Sequence, residues 1–229
     1  MALYEKRVPF KTQIVSLLAE EQYEPWFLKL NPCAEVPVLT DGVKVIPDST
    51  RIIEYLEDNF SNGSEESKNI EKFRDLLEPL PVPPLTFGIA AHPELTDNPK
   101  PPFTPFILKR MRGMLENILL ITVKERGGNK TLLFLSWENY FELLVIYVSD
   151  KSEWWLCGEL FSIADIDLAI LLNRINQLGC EQRFWAGGKR PFLEAYWNKM
   201  QKRDSFKVSE RYPILLLVSL VFYKNLKFY

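Results

Sequence analysis

Polar and apolar residues alternate from Phe10 to Leu17 closely enough for a β-strand, and Met1 to Lys6 before it reads as the end of a helix. Val38-Leu39 and Val43-Lys44-Val45-Ile46 are two short apolar runs on either side of Asp41-Gly42, a dipeptide that predicts a hairpin turn. Ile52, Ile53, Tyr55 and Leu56 then recur at helical spacing, so a helix opening at Asp48 or Ser49 buries one face. The polar stretch Ser61 to Ser67 reads as an interdomain linker, after which Lys68 to Leu77 resumes helical spacing. Pro79 to Pro105 is dense in proline, which interrupts helices and predicts an irregular loop.

The second half of the chain is less regular. Arg110 to Lys151 contains Gly127-Gly128 and then an apolar run, Thr131 to Val148, close to the length that spans a bilayer. Glu138 and Glu142 inside it would be costly in lipid, so a buried soluble helix is the expectation there. Ser162-Ile163-Ala164-Asp165 is a capping box that opens a helix continued by Ile166, Ala169, Ile170, Asn173 and Ile175. Its broad apolar character suits the centre of a domain, and its role is folding. Gly187-Gly188 ends a segment, Pro191 starts another helix, and Lys199, Lys202 and Arg203 suit that helix's C-terminal end. Pro213 to Tyr223 is an apolar tail, shorter than the roughly 20 residues of a spanning helix, with Lys224 and Lys227 beyond it. Shallow insertion in a membrane and packing on the protein both remain open for it.

Of the 229 residues, 47% are hydrophobic and 25% charged, enough to bury a sizeable core or two small ones. The net charge of −2 gives no reason to expect nucleic acid as a partner. Cys33, Cys157 and Cys180 show no CxxC spacing, which argues against a disulfide framework or a zinc site. The single histidine, His92, sits in a proline-flanked turn without a nucleophile or metal cluster and is read as structural.

The richest chemistry lies between Asn31 and Glu57. Pro37 has no amide to donate, and Val36-Pro37 is a bond that readily goes cis, which would turn the Val36 amide and carbonyl outward for a peptide to pair with. Asp48-Ser49 then opens a helix, where free amides and the helix dipole favour a bound carboxylate. Each feature alone is ordinary, an edge-strand proline and a helix cap. In this order the segment resembles the second half of the thioredoxin-like domain of a glutathione transferase. The resemblance implies that Val36 and Pro37 bind the cysteinyl part of glutathione and that Asp48 and Ser49 hold its γ-glutamyl group.

Further matches narrow the resemblance. Glu24-Pro25-Trp26-Phe27 with Leu30-Asn31, His92 to Thr96, Trp155 to Glu159 leading into Ser162 to Asp165, and Gly188 to Pro191 leading into Leu193-Glu194 resemble the ganglioside-induced differentiation-associated protein 1 family, as do Lys202-Arg203. That family implies an α+β/α, glutathione-transferase-like fold: a truncated thioredoxin-like domain over 1–60, a linker over 61–67, and an all-helical domain over 68–207 with an atypical segment 111–152. Residues 208–229 follow as an apolar tail, a candidate for membrane contact. The resemblance implies the mitochondrial outer membrane, facing the cytosol, and a role in mitochondrial fission, fusion and network organisation, with little or no transferase activity. Implied partners are glutathione as a weak or vestigial cofactor, fission, fusion or cytoskeletal proteins, and a second copy of the chain; no metal is implied. The alternative is a glutathione transferase that conjugates glutathione to small electrophiles. The family's activating Tyr, Ser or Cys sits between a strand and a helix that would precede Met1, so the chain reads as an incomplete or altered version of the family sequence. Tyr4 falls late in the first helix and is read as a packing aromatic, and no catalytic residue is assigned. Missing that strand, the sheet is expected to carry an exposed position.

Overall fold

The computed structural model describes residues 1–17, 19–60, 67–77, 86, 89, 96, 98, 155–210 and 218–224. His92, the segment 111–152 and the buried helix expected at 131–148 lie outside them. Two compact units divide the chain: Met1–Glu65 together with Arg203–Tyr229, and Glu66–Lys202.

The first unit begins with α1 (Ala2–Glu5) and β1 (Lys11–Ser16), followed by a 3-10 turn at Glu21–Tyr23 and α2 (Pro25–Leu30). Next come β2 (Val38–Asp41), β3 (Lys44–Pro47) and α3 (Ser49–Phe60). β2 alternates between the two faces of the sheet. Leu39 joins Leu3, Val8, Ile52 and Leu56 in a core under α1 and α3, whereas Val38 packs with Val15 and Phe27 of α2. Helices on both faces bury β2 from Val38 to Thr40, which is why Val38 and Leu39 are both apolar where one-sided burial would require alternation.

One local expectation shifts. The hairpin loop is Gly42-Val43, because Asp41 pairs with Lys44 inside the ladder. Gly42 supplies the positive φ of 61° that a two-residue loop places first, and the Asp41 carboxylate accepts the Tyr55 hydroxyl at 2.6 Å, tying the hairpin to α3. That carboxylate also raises the Tyr55 pKa, since the phenol must give up a hydrogen bond to ionise beside a negative charge.

The larger departure is at the far end of the chain. Val218–Lys224 forms β4, and the sheet order is β1-β4-β2-β3. The sheet position expected to stand exposed lies between β1 and β2, and the segment expected as an apolar tail fills it, antiparallel to β1 and parallel to β2. The helical domain expected to run to 207 likewise ends, as a compact unit, at Lys202. Its last turns belong to the first unit because Glu5 of α1 accepts two bonds from the Arg203 guanidinium, at 3.0 and 2.7 Å, and one from the Ser205 hydroxyl. Burial works to raise the Glu5 pKa, but these donors outweigh it and hold the carboxylate below its usual range.

The second unit is helical: α4 (Ser67–Leu77), α5 (Ile163–Gln177), α6 (Glu181–Phe184) and α7 (Pro191–Gln201). α8 (Asp204–Glu210) returns to the first unit. Ala164, Leu168, Ala169, Leu172 and Ile175 of α5 are fully buried, whereas Ile170 is exposed, so the helix is covered on most of its circumference but not all round. The turn after α5 is equally tight: Gly179 has φ +72°, and a Cβ there would stand 2.3 Å from the Asn98 carbonyl oxygen. Beside it the Thr96 hydroxyl donates to the Leu178 and Gly179 carbonyls. No described helix is long and apolar enough to cross a membrane.

One half-buried carboxylate is expected to make this unit sensitive to pH. Asp167 of α5 faces Arg74 of α4 with a nitrogen–oxygen distance of 3.5 Å. Burial pushes the Asp167 pKa up from 3.8 to about 6, while the Arg74 charge pulls it down. The folded value lies above the unfolded one, so the protonated carboxyl favours folding. That contribution is complete below about pH 4 and is lost as pH rises through about 6. Asp167→Asn is expected to flatten the slope, worth about 2 kcal/mol after allowing for partial exposure. Urea midpoints compared at pH 4.5 and 7 measure it; a slope unchanged by the substitution contradicts the assignment.

Candidate functional site

The loop that leads to the site is held by a residue that sequence reading passed over as a site element. Asn31, buried at the end of α2, donates its side-chain amide to the Glu35 carbonyl at 2.8 Å and accepts the Cys33 amide at 3.2 Å. Its own carbonyl accepts the Ala34 amide at 3.0 Å. An Asn placed between an apolar helix end and Pro32 is the sequence signal, since Asn side chains substitute for backbone partners in turns.

Beyond this loop the Val36-Pro37 peptide is cis. The Val36 side chain packs onto the Val15, Phe27 and Val38 cluster, which anchors the strand entry. Its amide and carbonyl precede the first ladder pair, Val38 with Pro47, and no described residue bonds to either. The Pro37 carbonyl accepts the Asp48 amide at 3.1 Å. That bond brings the proline edge against the start of α3, two pieces separated in sequence by the whole hairpin.

Asp48 sits at φ +74°, a left-handed conformation that Asp tolerates, and this aims its carboxylate back over the helix start. Oδ1 accepts the Thr50 amide at 2.9 Å and the Arg51 amide at 3.2 Å, so of the two residues expected to cap α3 it is Asp48 that does so. With those two amides engaged, the Ser49 amide and hydroxyl stand at the helix mouth beside the Thr50 hydroxyl, and both Asp48 and Ser49 are exposed. The Asp48–Pro37 bond thus brings the four residues singled out together, with a backbone edge suited to pairing, a carboxylate suited to a cation, and a donor pair at a helix N-terminus suited to an anion. Such a set suits an extended peptide that ends in an α-amino acid head group, with both its charges.

Tyr4 lies on α1 with 44% of its surface exposed. Cys33 is an exposed free thiol on the loop before Val36; Cys157 is partly and Cys180 fully covered. Among the described residues no group of His, Cys, Asp or Glu side chains is placed to hold a metal ion.

Residues 1–59 match the model of the glutathione S-transferase N-terminal domain. Over 250 aligned residues the chain is 28% identical to human ganglioside-induced differentiation-associated protein 1-like 1, covering 90% of this chain and 68% of that protein. Its fold is that of glutathione transferases, a thioredoxin-like domain followed by a helical one. The β-etherase LigF of Sphingobium sp. strain SYK-6 superposes with a TM-score of 0.64 at 21% identity over 92% of each chain. A glutathione transferase homologue from sulfitobacter, solved with glutathione bound, gives a TM-score of 0.55 at 13% identity over 93% of this chain and 91% of its own.

Proposed function

We propose, for a chain that is a glutathione-transferase-like protein of the ganglioside-induced differentiation-associated protein 1 type, that it binds glutathione weakly with little or no transfer activity. It would act at the cytosolic face of the mitochondrial outer membrane in fission, fusion and network organisation. The observation that carries the binding half is the Asp48 amide on the Pro37 carbonyl, which sets the unengaged Val36 backbone beside the Asp48-Ser49 helix mouth. In this reading Val36 pairs with the cysteinyl backbone of glutathione. Ser49 donates to its γ-glutamyl carboxylate, and the Asp48 oxygen not used in capping accepts from its ammonium. The binding of glutathione by a neighbour of the same fold supports the ligand. The cellular half is supported by the likeness, over most of the chain, to a ganglioside-induced differentiation-associated protein 1-like protein.

Calorimetric titration tests the binding half. Glutathione is expected to bind with a dissociation constant of about 1 mM, equivalent to about 4 kcal/mol, because the contacts are confined to one backbone edge and one exposed helix mouth. Ser49→Ala is expected to weaken it by about 1 kcal/mol, close to fivefold. Micromolar affinity, or affinity indifferent to Ser49→Ala, overturns this assignment. A fluorescent fusion imaged against a mitochondrial outer-membrane marker tests the location, and a uniformly cytosolic signal rejects it.

The second reading, conjugation of glutathione to small electrophiles, draws on the same assembled edge and helix mouth. It predicts a turnover of a chlorodinitrobenzene-type substrate that Ser49→Ala abolishes. A rate at the background level for both proteins decides for the binding reading.

A further inference from the structure

β4 is an interior strand that arrives from the opposite end of the chain. It pairs with β1 from Lys11↔Tyr223 to Ser16↔Val218, and among the described strands β1 has no other partner. On its other side it pairs with β2 from Val38↔Val221 to Asp41↔Lys224. Without β4 the sheet would contain a strand-wide gap lined on both sides by unpaired backbone, the kind of edge that captures any extended chain offered to it. The pairing is main-chain to main-chain, so it does not distinguish a strand of the same molecule from the same strand of another. Its timing also favours exchange. β1 and β2 are separated from β4 in sequence by the whole of Glu66–Lys202, so the gap closes late. Until it closes, an uncharged, proline-free apolar run, 214–223, stays available to other molecules.

We propose that the gap between β1 and β2 is a strand-acceptor site, and that a second copy of this chain fills it with its own Val218–Lys224, the two molecules exchanging strands reciprocally. Because the exchange is mutual, the assembly closes as a two-fold dimer with no strand gap left over. β2 starts two residues after Val36, so the strand flanking each ligand edge then belongs to the other molecule. The inference rests on backbone register alone and stands or falls independently of glutathione binding.

The test uses the full chain in a Cys33→Ser background with Thr12→Cys and Phe222→Cys, which are register partners. After unfolding, refolding at low and high protein concentration, and mild oxidation, a non-reducing gel and mass spectrometry locate the 12–222 cross-link. Expected is a cross-linked species of two-fold mass whose share rises with concentration. A 12–222 link confined to the monomer at every concentration, or no such link, overturns the proposal. A second arm refolds tagged chain carrying Leu220→Pro, which cannot donate the strand, with excess unmodified chain. Its first unit is expected to pass from protease-sensitive alone to protected in the mixture. Continued cleavage in the mixture, or protection already present alone, is the contrary result.

Discussion

Asp165→Ala is expected to destabilise the helical unit by about 3–5 kcal/mol, a large share of the stability of a domain of this size. The carboxylate is completely buried and is the hub of a small network. Oδ2 accepts the Ser162 amide at 2.9 Å and the Ser162 hydroxyl at 2.8 Å, closing the capping box of α5. Oδ1 accepts the Leu156 amide at 2.9 Å and the Tyr196 hydroxyl of α7 at 2.5 Å. The alanine variant strands two backbone amides and a phenol away from water, and each lost charged acceptor costs more than a neutral hydrogen bond. Tyr196→Phe removes one donor and leaves the hub otherwise satisfied, so it is expected to cost about 1 kcal/mol. Urea unfolding followed by tryptophan fluorescence reports on this unit through Trp155, Trp185 and Trp197. Equal midpoints for the Asp165→Ala variant and the parent would refute the hub.

Leu220→Pro is expected to unfold the sheet of the first unit while leaving α5 intact. Residue 220 pairs with Ile14 in the interior of the sheet, where a missing amide cannot be directed to solvent. Proline in an interior strand costs at least about 3 kcal/mol through the lost ladder bond and its ring. Here β1 also loses its partner, so the loss extends beyond one bond. Hydrogen exchange should show the β1 and β2 amides losing protection and the α5 amides keeping it. Slow exchange persisting in β1 would mean that β4 is dispensable.

The signals that sequence analysis read well were the short-range ones. Ser162 and Asp165 stand three residues apart and cap one helix, so the box needs nothing beyond its own turn. Ile52, Ile53 and Leu56 share a face of α3 because 3.6 residues make a turn. The hairpin was legible in position and off by one residue in its loop, because Asp41 pairs with Lys44 in the ladder and leaves Gly42-Val43 as the loop. Asp48 and Ser49 were equivalent candidates for the cap until the left-handed backbone at Asp48 turned its carboxylate onto Thr50 and Arg51. Hydropathy marked Pro213 to Tyr223 as apolar but could not say that Val218–Lys224 would form a strand between two others, since a lipid surface and two flanking strands both reward the same composition.

Spacing along the chain was therefore enough to establish the helix periods, the capping box of α5 and the proline edge, because each depends on neighbours within a turn or a hairpin. Three-dimensional packing settled what lies far apart in sequence: Glu5 holding Arg203, Asp48 meeting Pro37, and Val218–Lys224 entering between β1 and β2. The reason is entropic: long-range pairings depend on which groups remain unsatisfied once the local elements have formed, and no local pattern records that.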